Sequence, residues 1–167
     1  MQPLDSGEFS FDANSLVDFA KTTNLPLLDQ LFDGRALVSD FVVNELAAAS
    51  IEWKMAKVVT LANESELQLF EDIRKNNPPL GSGEVGAIVV ARIHKAGLIS
   101  NDRQARRAAA ELGIPVSGSL AILRYAAERS VVSGKDAVRI LSDMIMAGAW
   151  LSDELIEAFR RDVLKRC

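Results

Sequence analysis

Cysteine and histidine are almost absent from the 167 residues: there is one of each, Cys167 and His94. A structural zinc site takes four ligands, mostly Cys and His, which this chain cannot supply. A lone cysteine forms no internal disulfide, which suits a reducing cytoplasm. A Ser-His-Asp or Cys-His catalytic pair would have to use His94. That residue lies between Ile93 and Lys95 in a helical pattern and reads as a surface histidine. No run of roughly 18 apolar residues is present, so no membrane-spanning helix is expected. Met1 to Phe11 has neither a basic start nor a long apolar core and does not read as a secretory signal.

Carboxylate is what the chain has in quantity: 23 Asp and Glu against 19 Lys and Arg, a net charge of −4. The distribution is uneven. Residues 1–91 hold 14 acidic and 6 basic side chains, whereas residues 92–139 hold 4 and 9. An acidic half beside a basic strip is what a cation site with a phosphate-binding flank looks like, although helix surfaces are charged in any case. Carboxylates suit hard cations such as magnesium and manganese. Hydrophobic residues at 49% and charged residues at 25% are ordinary for a soluble globular chain. The length fits one domain over residues 1–167, with a core at about 8–130 and C-terminal helices at about 131–167.

Short apolar runs alternate with helical patterns. Strands are expected at Phe9 to Phe11, Ala36 to Val38, Lys57 to Leu61, Leu98 to Ser100 and Ile114 to Val116. Asn24 and Pro26 open a helix that Gly34 closes. Ser39 can cap the helix bearing Phe41, Val42 and Glu45. Asn63 and Glu66 form a capping-box start. Ser82 caps a helix from Glu84 to Ala96, which Gly97 ends. Helices are also expected up to about Lys21, over Arg103 to Leu112, and from Ser119 to Arg129, Lys135 to Ala147 and Asp153 to Arg166. Strands separated by helices of about 10–15 residues make βαβ units and a parallel sheet. Such a sheet binds ligands at the carboxyl ends of its strands.

That rule selects the acids. Asp12 and Asp102 each follow a strand, so both should face one crevice. Glu45 shares a helix face with Phe41 and Val42. Glu84 lies in the first turn of its helix, where the dipole favours negative charge. Two like charges about 4 Å apart repel by roughly 1 kcal/mol in water and about 4 kcal/mol near a protein surface, so a cluster of four calls for a compensating cation. A divalent ion on one or two carboxylates, completed by water and phosphate oxygens, can activate a water and stabilise charge on a scissile phosphate. Taken singly, Asp12 could be a helix cap, and Glu45 and Glu84 could be solvated helix residues.

Phe11-Asp12-Ala13-Asn14-Ser15-Leu16-Val17 resembles the opening motif of PIN domains. Val38-Ser39-Asp40-Phe41-Val42-Val43-Asn44-Glu45-Leu46 resembles their second motif, ending in Glu, and Leu80-Gly81-Ser82-Gly83-Glu84-Val85-Gly86-Ala87-Ile88 a third. Ser100-Asn101-Asp102-Arg103-Gln104-Ala105-Arg106 resembles the fourth, in which a small hydroxyl residue precedes Asp by two. The stretch Ala108 to Ala126 and the tail with Gly148, Trp150 and Ser152-Asp153-Glu154-Leu155 are similar to a subgroup of VapC-toxin-like bacterial and archaeal proteins. The resemblance implies a three-layer α/β/α PIN-like fold with a central parallel sheet and a C-terminal helical extension. It implies a Mg2+ or Mn2+ site at Asp12, Glu45, Glu84 and Asp102, with Asn14 positioning a carboxylate or water. It implies hydrolysis of RNA phosphodiester bonds, homodimers and often a cognate antitoxin. In one departure, relatives often have two adjacent acids where this chain has Asn101-Asp102.

Gly81-Ser82-Gly83-Glu84-Val85-Gly86 matches the dinucleotide fingerprint literally, but Asn77-Pro78-Pro79 is no strand, and a strand must precede those glycines. The glycines read instead as allowing a close approach. Arg103, Arg106 and Arg107 follow Asp102 on one helix and are candidate phosphate ligands, or a solvated face. Met144, Ile145, Trp150 and Leu151 read as core or as a dimer or antitoxin surface. Three functions are in play: a metal-dependent endoribonuclease, a catalytically weak PIN-like module binding RNA or a partner, and an unrelated α/β small-molecule protein.

Overall fold

Side-chain alternation along the first strand decides how the sheet is sandwiched. In the computed structural model, which describes residues 3–165, β1 (Phe9–Phe11) is buried throughout. Ser10 points to one face, where its hydroxyl donates to the Ala87 carbonyl at 2.7 Å. Phe9 and Phe11 point to the other and meet Phe32 edge to face, with ring centroids 5.5 and 5.2 Å apart. Phe11 also meets Trp53 at 5.1 Å. A period of two thus gives the strand a helical layer on each side.

The remaining strands are β2 (Ala36–Ser39), β3 (Lys57–Val59), β4 (Gly97–Ile99) and β5 (Val116–Ser117). All pairings are parallel, in the order β3-β2-β1-β4-β5. Phe9 stands opposite both Ala36 and Gly97. The three middle strands are buried along their length, as expected for a sheet covered on both faces. The chain builds outward from β1 to β3, then crosses back to β4 on the other side. That reversal opens a crevice at the carboxyl ends of β1 and β4.

Nine helices lie among the described residues: α1 (Ala13–Lys21), α2 (Leu25–Leu31), α3 (Asp40–Ala48), α4 (Glu64–Asn76), α5 (Ser82–His94), α6 (Arg103–Glu111), α7 (Ser119–Glu128), α8 (Gly134–Met146) and α9 (Asp153–Leu164). Every residue of α5 from Val85 to Ala91 is buried, because it packs on β1, β2 and β4 and is covered by α3, α4 and α6. The last three helices pack on one another, and α8 reaches α1. Met144, Phe159 and Val163 join the same apolar cluster as the sheet residues. Truncating Phe159 to Ala would cost about 3–5 kcal/mol. None of these helices is long and apolar enough to cross a membrane.

The expected three-layer α/β/α arrangement with its parallel sheet is present, and some boundaries move. Gly81, not Ser82, is the N-cap of α5, and Ser82 is its first residue. The helix stops at Lys95, which adopts left-handed φ 52° and ψ 37°, and Gly97 is already in β4. Strand β3 ends at Val59, opposite Ser39, because β2 turns into α3 there. Strand β5 starts two residues late: Pro115 has no N–H and offers only its carbonyl, which accepts from Leu98 N at 2.8 Å. Arg166 and Cys167 lie outside the described residues.

Candidate active site

Asp12 follows β1 directly and caps α1. Its Oδ1 accepts the Ser15 N–H at 2.9 Å, and its backbone N–H donates to the Ile99 carbonyl at 3.1 Å, prolonging the pairing with β4. Its Oδ2 accepts the Ser100 hydroxyl, and Ser100 Oγ in turn accepts the Asp102 N–H at 3.1 Å. The carboxylate is 1% exposed. Burial pushes its pKa up, the Ser100 and Ser15 bonds pull it back, and the nearby Asp102 raises it further. Asp102 caps α6 through the Ala105 N–H at 2.7 Å and is half-buried. The two Asp residues at the ends of β1 and β4 thus share one serine.

Glu84 is half-buried in the first turn of α5. Its Oε2 accepts the Gly81 N–H at 2.6 Å, which is half of a capping box, since Gly81 has no side chain to return the bond. Burial pushes its pKa up and the Gly81 N–H lowers it; Asp102, Asp12 and Glu45 then each raise it. Glu84 therefore lies in the field of the other three candidate acids. Glu45 projects from α3, exposed, and its Oε1 accepts the Gly83 N–H at 3.0 Å. A Cβ on Gly83 would overlap this carboxylate, meeting Oε2 at 2.7 Å, and one on Gly86 would meet Ser39 Oγ at 2.8 Å. These glycines permit close packing of α5 on α3 and β2. Only α4 and a loop precede them, not a strand, which rules out the dinucleotide fingerprint.

Some of the site was not expected. Asp18, half-buried on α1, also has a raised pKa: burial raises it, Lys21 lowers it, Asp12 raises it and the Asn101 amide lowers it. It lies four residues after Asn14 and three after Ser15, so helical spacing could have placed it at the crevice. Asn101 does not face outward as a missing acid. Its amide donates to Ser119 Oγ at 2.8 Å and its carbonyl accepts the Ser119 N–H at 2.9 Å, joining the end of β4 to the start of α7. Asn14 is exposed in the first turn of α1.

The three arginines of α6 divide. Arg106 Nη1 donates to the Ser100 carbonyl at 2.9 Å, holding the strand end that bears the shared serine. Arg107 is exposed and pairs with Glu111 at 3.2 Å, an interaction of little energetic weight. Arg103 is exposed, with no ion pair to a described residue. His94 is partly buried, with Nδ1 3.9 Å from Glu8, and takes no part in the crevice. Met144 is core, whereas Trp150 is 85% exposed.

Oxygen donors alone, carried on four elements, fit a hard divalent cation in chemistry. Their placement is open rather than closed. Among the described residues, no three Asp, Glu, His or Cys side chains stand so as to hold a metal ion together. Each acid is instead parked on a backbone N–H: Ser15, Gly83, Gly81 and Ala105.

Residues 9–165 match the model of a family described as a PIN domain. None of the curated proteins compared with the chain matches it. The family points to a nuclease-type fold and to hydrolase chemistry in general. With nearly the whole chain matched, and with Asp12 and Asp102 at the carboxyl ends of neighbouring strands in a five-stranded parallel sheet, the protein belongs to the PIN-domain family.

Proposed function

We propose that the protein is a divalent-metal-dependent endoribonuclease whose Mg2+ or Mn2+ would be held by Asp12, Glu45, Glu84 and Asp102. The observation that supports this most is that Asp12 and Asp102, at the carboxyl ends of β1 and β4, share the Ser100 hydroxyl. When bound, such an ion polarises the scissile phosphate and helps to deprotonate a water. The protein's own groups do the rest. Ser100 and the Ser15 N–H keep the buried Asp12 supplied with donors, favouring its charged form. Asn14, on the first turn of α1, would orient a water or carboxylate. Arg103, Arg106 and Arg107, on the helix that Asp102 caps, would supply cations for the RNA backbone.

The resemblance to VapC-like toxins extends this reading to a homodimer with a cognate antitoxin in the cytoplasm. It also extends to one domain spanning the core and the C-terminal helices, supported by their common apolar cluster. Single-turnover cleavage of single-stranded RNA, with magnesium, manganese or chelator, tests the proposal. Cleavage with either ion and none with chelator is expected. No cleavage with either ion would favour a second reading, a catalytically weak module that binds RNA or a partner. The specific support for that module is Asn101, a neutral residue committed to Ser119 where relatives often have an acid.

A further inference from the structure

We propose that the cavity walled by Asn101, Arg106, Gly118, Arg124, Leu151 and Leu155 is a subsite for one nucleotide of single-stranded RNA, adjoining the phosphate cleaved at the carboxylates. The proposal rests on the ribonuclease reading. The cavity has a volume of about 390 Å³, within the range of roughly 300–1,000 Å³ usual for small-ligand sites. It opens next to the acids: Asn101, which precedes Asp102 in the chain, and Arg106, whose backbone N–H donates to the Asp102 carbonyl at 3.0 Å, both line it.

The chemistry of its wall changes sign from that of the crevice. No carboxylate lines it, and its two charged residues are both arginines. Arg106 is fixed by its bond to the Ser100 carbonyl, so its guanidinium is held in place beforehand. Arg124 pairs through Nη2 with Asp162 at 3.2 Å, while its Nε is buried without a hydrogen-bond partner among the described residues. The wall also includes the aliphatic side chains of Leu151 and Leu155, the latter 52% exposed. A nucleotide presents this combination in reverse: an anionic phosphate for the guanidiniums and a flat base for an apolar wall. Gly118 keeps the arrangement open, since a Cβ there would meet Asn101 Oδ1 at 2.6 Å and Arg106 Nη1 at 3.1 Å.

The test is equilibrium binding of a fluorescent single-stranded RNA octamer to the full chain in chelator, where no metal-dependent cleavage intervenes. Leu155→Trp fills the cavity from a half-exposed position that tolerates bulk, and Arg124→Gln removes the guanidinium. Each should weaken binding about tenfold, the change expected when one base or phosphate interaction is removed. Asp162→Asn breaks the same ion pair but keeps the guanidinium, and should bind like the parent. Binding by Leu155→Trp and Arg124→Gln equal to that of the parent overturns the subsite. So does a loss in Asp162→Asn as large as that in Arg124→Gln, or a parent that binds no RNA. A parent that shows this pattern in chelator yet cleaves nothing with magnesium or manganese sinks the ribonuclease reading and leaves the subsite standing.

Discussion

One hydroxyl serves two strands: Ser100 donates to Asp12 Oδ2 and accepts the Asp102 N–H at 3.1 Å. Ser100→Ala should therefore disturb both acids together. Leaving a buried carboxylate one donor short costs about 1–3 kcal/mol. Metal affinity should fall roughly 10–100-fold, the usual effect of losing a group that orients a ligand. Urea unfolding in chelator and a manganese titration measure the two effects separately. An unchanged midpoint and an unchanged affinity would show that the bond does neither job.

Magnesium or manganese should raise the melting temperature of the parent. Occupancy at about 100 times the dissociation constant corresponds to roughly 2.7 kcal/mol. Asp12→Asn should melt higher than the parent in chelator, because it removes a buried charge surrounded by other acids, and should lose most of the metal shift. Calorimetry of both proteins with and without each ion checks this. A parent indifferent to millimolar amounts of both ions would argue against the site.

The pH dependence in chelator has a definite sign. Asp12 and Glu84 both have folded pKa values raised above the ordinary value, first by burial. The folded state then holds protons that the unfolded state has already lost above about pH 4. Stability from these two groups should fall as pH climbs from the unfolded pKa through the folded one, and level off above it. Saturating metal should flatten or reverse the slope, since an ion favours the charged forms. Chelator melts stepped from pH 4 to 8 would contradict this if stability rose steadily with pH.

Much of the fold is legible in the sequence because it rests on short-range rules. The capping residues Ser39 and Asn63 sit where the pattern puts them, each accepting an N–H three residues on. Alternating strand and helix patterns are enough for the parallel sheet. Asp12 and Asp102 are placed by the rule about strand ends. Asp18 escapes that rule, because it stands mid-helix, and only its spacing of one turn from Asn14 points to the crevice. Asn101 reads as a missing charge because its partner, Ser119, is eighteen residues away and no local rule connects them. The end of α5 differs from expectation because Lys95, not a glycine, takes the left-handed position. Lysine has no preference for that conformation, so no local rule points to it.

The arginines of α6 should separate on mutation. Arg103→Ala and Arg107→Ala should each weaken RNA binding with little effect on stability, since both side chains are exposed. Removing one phosphate ligand should flatten the salt dependence by about 0.7 in log–log slope. Arg106→Ala should weaken binding too, and in addition lower stability by about 1–2 kcal/mol, because it releases the Ser100 carbonyl. Binding isotherms at several salt concentrations, with melting curves beside them, distinguish the two behaviours. If Arg103→Ala and Arg107→Ala leave the slope unchanged, these residues are a solvated face.

The sharpest test concerns the adjacent pair Asn101 and Asp102, whose side chains have different employment. Asp102 caps α6 and contributes to the raised pKa of both Asp12 and Glu84. Asn101 is turned to Ser119 and to Asp18. Asp102→Asn keeps a good helix cap and removes the charge, so it should fold like the parent and be as stable or more stable in chelator. Its RNA cleavage should fall at least 10–100-fold. Asn101→Asp can still accept the Ser119 N–H, with the Ser119 hydroxyl turning to donate. It adds a charge beside Asp18, however, and should melt lower than the parent in chelator. With metal present the added acid should cost little, and activity should hold or rise, matching the acidic pair of the relatives. Single-turnover cleavage by both variants at equal folded fraction decides the matter. If Asp102→Asn cleaves like the parent while Asn101→Asp abolishes activity, Asp102 is not the fourth metal-site residue and the crevice must be organised around Asn101.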